Sequence, residues 1–155
     1  MIVPRIARGD RALVDTGLFV GLHNSADEHR DEASDLYDAL LESGIHLVTS
    51  DYVLDEAVTF AACKAKRKDI AVDIGTTLLT TTHVKLHQCT GPHVLAAWES
   101  FKKYDDQGLS FTDCMLLAIC RLDKIPILVT FDSDFDGVGD GPLVIHSEAD
   151  LRGHL

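Results

Sequence analysis

The sequence predicts an α/β fold, with a central, mostly parallel sheet of four or five strands and helices on both of its faces. Three observations predict it. Short apolar runs recur along the chain; segments with apolar residues at helical spacing lie between them; and the two kinds alternate from one end to the other. In such sheets, binding sites form at the carboxyl ends of the strands, so an acid that closes an apolar run marks a candidate site. Asp15 and Asp132 both stand in that position.

In order, residues 1–10 read as a ragged lead. Residues 12–15, ALVD, form a buried strand, followed by a short helix from Leu18 to His23. Residues 29–43 form an amphipathic helix, with Ala33, Leu36, Tyr37, Leu40 and Leu41 on one side and Gly44 as the stop. Residues 45–49, IHLVT, are the second strand, and Ser50 caps a helix that runs to about Lys68. Residues 69–82 favour helix, although their Thr and Ile residues compete with it. Residues 83–88, HVKLHQ, alternate as a half-exposed strand, which puts His83 and His87 on its solvent face. A helix over 92–105 carries Val94, Leu95, Trp98 and Phe101; after the break at Gly108, Ser110 starts a helix to about Asp123 that is apolar on all sides from Met115 to Cys120. Residues 126–131 and 142–145 are the last strands.

Composition bounds the possibilities. A chain of 155 residues, 46% of them apolar, can bury one core, so residues 1–155 are expected to form a single domain. The longest apolar run is too short to span a membrane, and the first residues lack the apolar stretch of a signal peptide, so a cytoplasmic protein is expected. The four cysteines contain no Cys-x-x-Cys pair; Cys63, Cys114 and Cys120 lie in apolar surroundings and read as free, mostly buried thiols. The net charge of −11 opposes nucleic-acid binding through phosphates, unless a metal reverses the sign locally or the basic groups Lys64, Lys66, Arg67, Lys68 and Lys102, Lys103 supply the contact.

The acids carry the chemical signal, and each has a structural explanation beside the functional one. Asp15 can face the crevice above the sheet or cap the next helix. Glu56 projects between Phe60 and Cys63 at the edge of the apolar arc, where a charge needs a partner, whereas Asp55 points elsewhere. Asp113 completes a capping box with Ser110, or joins the other acids. Asp132, Asp134 and Asp136 begin like a calcium loop, but the twelfth position is Leu143 and a strand precedes the run, which opposes an EF-hand. Asp15-Thr16-Gly17 matches the tripeptide of aspartic proteases, whose all-β scaffold the helical periodicity contradicts. An aspartyl phosphatase would need an acid two residues after Asp15, where Gly17 stands.

Taken together, LVDTG, LDEAVT, LSFTDCMLLAIC and ILVTFDSDF, in this order from Leu13 to Ile145, resemble the PIN domain, in particular the small VapC-type toxins and their relatives. The stretch FKKYDDQGLSFTDC is the most characteristic. The resemblance implies an α/β/α sandwich and a nuclease site built from Asp15, Glu56, Asp113 and Asp132, with Thr16, Thr130 and Asp134 in support. It implies that Asp15, Asp113 and Asp132 hold Mg²⁺ or Mn²⁺ while Glu56 orients or activates water, and that RNA is cut to leave a 5′-phosphate and a 3′-hydroxyl. It also implies a homodimer silenced by a small basic antitoxin. The competing reading is a non-catalytic RNA- or protein-binding module on the same fold. The Gly- and Asp-rich loop 136–141 has no counterpart in the family pattern.

Overall fold

The computed structural model describes residues 3–104 and 108–155. Five strands, β1 (Arg11–Val14), β2 (His46–Ser50), β3 (Val84–His87), β4 (Ile127–Val129) and β5 (Leu143–Ile145), form one sheet in the order β3-β2-β1-β4-β5. Every pairing is parallel, so the sheet is fully rather than mostly parallel. The helices are α1 (Thr16–His23), α2 (Arg30–Glu42), α3 (Asp51–Thr59), α4 (Lys68–Thr80), α5 (Gly91–Lys103), α6 (Phe111–Leu122) and α7 (Glu148–Arg152). The chain moves from β1 outward to β3 and then jumps back across β1 to β4. With right-handed crossovers, that reversal puts α1 to α4 on one face and α5 and α6 on the other. The expected sandwich results.

Burial explains the pattern. The β1 residues Ala12, Leu13 and Val14 and the β4 residues Ile127, Leu128 and Val129 are buried, as a strand covered on both sides requires. In α6 every residue from Asp113 to Cys120 is buried, which makes it the central helix. Gly44 ends α2 at φ +70°, a conformation a side chain resists, and a Cβ there would also strike Arg8.

Four local expectations need correction. The helix begun at Ser50 does not reach Lys68: α3 stops at Thr59, a wider π-turn covers Phe60–Lys64, and Lys66 turns left-handed at φ 54° before α4 begins. The break rotates the following side chains, so Cys63 and Phe60 are exposed rather than part of an apolar arc. The described part of the lead, residues 3–10, is tied to the rest of the fold. Ile6 is buried and its N–H donates to the His154 carbonyl at 2.8 Å, while Gly9 N–H donates to Gly44 O at 2.9 Å. The last strand is followed by α7, capped by Ser147 through the Asp150 N–H, an element absent from the sequence reading. The ambiguous segment 69–82 is helical to Thr80. For α5, the expected end at residue 105 lies outside the described residues. No described helix is long and apolar enough to cross a membrane.

Candidate active site

The direction of the crossovers reverses between β1 and β4, so the crevice above the sheet opens where those two strands end. Asp15 immediately follows β1, and Asp132 comes three residues after β4. From one covered side, α6 brings its N-terminal Asp113; from the other, α3 brings Glu56.

Three of these acids also take part in helix capping, Asp15 and Asp132 as N-caps and Asp113 as the third residue of a capping box. Asp15 Oδ1 accepts from the Thr16 N–H at 2.7 Å at the start of α1. Asp113 Oδ2 accepts from the Ser110 N–H at 2.9 Å, completing a capping box with the Ser110 hydroxyl. Asp132 Oδ1 accepts from the Asp134 N–H at 2.9 Å and starts a 3₁₀ turn over Ser133–Gly137. The capping and functional readings therefore do not exclude each other. Each cap fixes one carboxylate oxygen on the backbone and orients the other.

Two threonines complete the frame. The Thr130 hydroxyl donates to Asp15 Oδ2 at 2.8 Å, and the Thr16 hydroxyl donates to Glu56 Oε1 at 2.7 Å. The Thr130 oxygen also accepts from the Asp132 N–H at 3.1 Å, so one side chain ties the ends of β1 and β4 together. Glu56 is half-buried and Asp55 exposed, as expected, although the buried face beside Glu56 consists of Val53, Ala57 and Ala61. Asp134 is exposed at the rim, against Gly108, where a Cβ would lie 3.2 Å from its Oδ2.

The electrostatics are one-sided. Burial pushes the Asp15 carboxyl up to about 7, against the pull of its bonds to Thr130 and Thr16, and the charges of Asp113 and Glu56 add to the rise. Asp113 is raised by burial as well, with Asp132 and Glu56 contributing repulsion. Repulsion thus links Asp15 to Asp113 and Glu56, and Asp113 to Asp132 and Glu56. Such a cluster gains from a positive charge at its centre, and an all-oxygen donor set suits a hard divalent cation.

A second tier was not visible in the sequence. His146, just after β5, has Nδ1 2.6 Å from the Thr130 carbonyl and Nε2 2.8 Å from Asp136 Oδ1. Burial lowers its pKa, but the bonds to Asp136 and Thr130 and the charges of Asp136 and Asp150 outweigh that and raise it. Asp136, in the unassigned loop, therefore holds the histidine that braces Thr130. The pairing spans ten residues with no periodic pattern, so only the turn residues around it gave a signal.

The profile of the PIN domain family matches residues 12–141. The chain belongs to the PIN domain family. No curated protein matches its sequence. Among solved structures it is similar to the Mycobacterium tuberculosis toxin VapC20, which cleaves the sarcin–ricin loop, at 27% identity and TM-score 0.71, with 83% of this chain and 95% of that chain covered. VapBC2 from Rickettsia felis, bound to a promoter DNA fragment, aligns at 16% identity and TM-score 0.65 over 87% and 97% of the two chains. VapBC-1 from nontypeable Haemophilus influenzae aligns at 14% identity and TM-score 0.62 over 90% and 98%. The last two likenesses are of fold. Within the PIN family, the solved structure matched at 27% identity is a VapC toxin.

Proposed function

We propose that this PIN domain is a divalent-metal-dependent endoribonuclease and the toxin of a toxin–antitoxin pair. The observation that carries the reading is the set of four carboxylates at the switch point of the sheet, with Asp15 buried and repelled by Asp113 and Glu56, and Asp113 repelled by Asp132 and Glu56. Burial of a carboxylate beside other carboxylates with no counter-charge is costly, and a binding module would have little reason to retain it.

Asp15, Asp113 and Asp132 would hold Mg²⁺ or Mn²⁺, each through the oxygen its cap leaves oriented. Bound there, the ion supplies Lewis acidity, which activates water and offsets the charge that builds on the phosphate oxygens. Thr130 keeps Asp15 in register with Asp132. Thr16 fixes Glu56 through Oε1, which leaves Oε2 to orient the attacking water and take its proton. In-line attack at phosphorus, with departure of the ribose 3′-oxygen, gives a 5′-phosphate and a 3′-hydroxyl. Asp134 stands at the rim, where it supports the cluster's charge.

RNA as substrate follows from the family and from the 27%-identical toxin that cleaves the sarcin–ricin loop. An exposed loop presents its backbone to a crevice of this kind. The exposed cations Lys64, Lys66 and Lys68 at the α3–α4 break, and Lys103 on α5 beside Lys102, which pairs with Glu99 at 2.9 Å, are candidate groups for phosphates on a chain of net charge −11. An antitoxin partner is supported by a toxin–antitoxin complex from Klebsiella pneumoniae that shares the fold. A small basic protein fits this acidic chain. Homodimerisation is supported by Leu95, Trp98 and Phe101 on α5, which are 69%, 50% and 40% exposed.

The test is cleavage of a labelled sarcin–ricin loop RNA and of several other structured RNAs, with Mg²⁺, with Mn²⁺ and with EDTA. Asp113→Asn, nearly isosteric and uncharged, runs beside the wild type. Cleavage that needs metal, leaves a 5′-phosphate and disappears in the variant is expected. Folded, partner-free protein that cuts none of these RNAs would sink the reading and favour a binding module.

A further inference from the structure

Far from the acidic crevice, at the other end of α6, three side chains from three elements meet. His87 ends β3, His93 lies in the first turn of α5, and Asp123 caps the C-terminus of α6. Ten residues of helix put Asp123 about 15 Å along the axis from Asp113. One ligand atom from each of the three lies within 4.8 Å of the others. His87 Nε2 is 2.9 Å and His93 Nε2 3.2 Å from Asp123 Oδ2, and the two imidazoles stand edge to face with centroids 5.3 Å apart.

Two details distinguish this group from a self-contained ionic network. His87 Nε2 is fully buried and makes no hydrogen bond among the described residues, even though Asp123 Oδ2 is so near. The carboxylate oxygen therefore lies out of line with the ring nitrogen, whose in-plane direction is aimed elsewhere. An unsatisfied buried nitrogen is costly, and a ligand in that direction would remove the cost. His93 Nε2 is 3.2 Å from both oxygens of Asp123, a long and divided contact. Its Nδ1 lies 2.8 Å from the Thr90 hydroxyl.

We propose that His87, His93 and Asp123 bind a zinc ion or a similar transition-metal ion, separately from the acidic cluster. Donor atoms around tetrahedral zinc, at about 2.0–2.1 Å from the ion, are roughly 3.3 Å apart, close to the separations from Asp123 Oδ2. Two imidazoles and one carboxylate leave the fourth position to water. Two imidazoles also select zinc-like ions over Mg²⁺, which the oxygen-only crevice suits instead. On binding, His93 takes the tautomer with its proton on Nδ1, donated to Thr90 Oγ1. This is the outer bond that orients a metal-bound histidine. The Thr90 N–H that now points to Nδ1 at 3.1 Å gives up that contact. The ion would join the edge strand β3 to α5 and α6, and Arg11, which donates to the Asp123 carbonyl, already anchors the α6 end to β1.

The test is titration of the chelator-treated full chain with Co²⁺, followed by its visible d–d absorption, and with Zn²⁺ by calorimetry. Wild type, His87→Ala, Asp123→Asn and Asp113→Asn are compared, with folding checked by circular dichroism. The expected result is one tetrahedral, imidazole-type Co²⁺ band per chain, unchanged in Asp113→Asn, with any ion in the oxygen-only crevice absorbing only weakly and lost in that variant. His87→Ala should weaken it by more than the roughly 10- to 100-fold that loss of an outer-shell partner costs. If His87→Ala does not fold, Asp123→Asn carries the same expectation. Binding of equal strength in the folded His87→Ala or Asp123→Asn variant would overturn the assignment, as would binding lost only in Asp113→Asn or no binding at all. Because Asp113→Asn silences the proposed nuclease and spares this site, the two proposals can fail independently.

Discussion

The two ends of α6 hold charged clusters of opposite design. At the N-terminal end, four carboxylates gather and only hydroxyls and backbone amides partner Asp15 and Glu56. At the C-terminal end, Asp123 faces two imidazoles, with His87 Nε2 at 2.9 Å and His93 Nε2 at 3.2 Å. The first cluster sets carboxylates against one another; the second mixes one carboxylate with two imidazoles, one of whose nitrogens is buried without a hydrogen bond among the described residues. The difference teaches where function concentrates in this fold: burial of like charge, rather than the number of polar residues, separates the crevice from the rest of the surface. It also explains why Asp15 and Asp113 are raised by burial first and by each other second.

The comparison breaks most visibly in activity. Asp15→Asn or Asp113→Asn should lower RNA cleavage by roughly a thousandfold, since several kcal/mol of charge stabilisation rest on the ion. His87→Ala should leave Mg²⁺-dependent cleavage within about twofold of wild type, as a change away from the site does. Equal losses at both ends would contradict the separation.

Stability without metal gives the next largest effect. Asp15 has a folded pKa of about 7 and an ordinary value of 3.8, so the folded state binds this proton more tightly. Its contribution is fully present below about pH 4, falls as pH rises towards 7 and is then flat, a loss of at most about 4 kcal/mol. Urea denaturation of metal-free protein should show this decline, and Asp15→Asn should flatten it. A wild type equally stable at pH 4 and pH 8 would show that Asp15 does not carry the strain.

Thr130→Val removes one hydroxyl bond to a buried carboxylate, worth about 1.5–3 kcal/mol. It should weaken cleavage by one to two powers of ten while the circular dichroism spectrum is unchanged. Thr16→Val, which frees Glu56, should act mainly on kcat with little change in KM. The smallest effect lies at the rim. His146 should titrate above 6.5 by NMR in wild type and return towards that value in Asp136→Asn. Because its folded pKa is raised, its stabilising effect is full at low pH and lost as pH rises through that value. An unchanged His146 titration in the variant would remove Asp136 from the bracing of Thr130.

What could be read from the sequence follows the range of the interactions. The β1 and β4 runs, the caps at Ser50 and Ser110 and the inward face of α6 depend on neighbours within a few residues, and periodicity exposes them. The four acids were legible as a set because the motif order of a known family joined them; alone, Asp15, Asp113 and Asp132 are equally well explained by helix capping, in which they do take part. The break after Thr59 was not legible, because FAACKAKRK contains neither Gly nor Pro and the π-turn leaves the local pattern helical. His87 was assigned to solvent from the alternation of β3. Its side chain instead packs at the strand's end against Asp123, 36 residues on, a contact that no local pattern encodes. The π-turn's rotation likewise moved Cys63 to the surface.

The most direct test of the account is Mn²⁺ binding, followed by the loss of free-ion EPR signal. Mn²⁺ is hard enough to prefer the carboxylates over the imidazoles. Wild type should bind it, Asp15→Asn and Asp132→Asn should lose at least about tenfold in affinity, and His87→Ala should match wild type. Equal Mn²⁺ affinity in wild type and in the folded Asp15→Asn variant would contradict the claim that the buried carboxylates are gathered to hold a divalent cation.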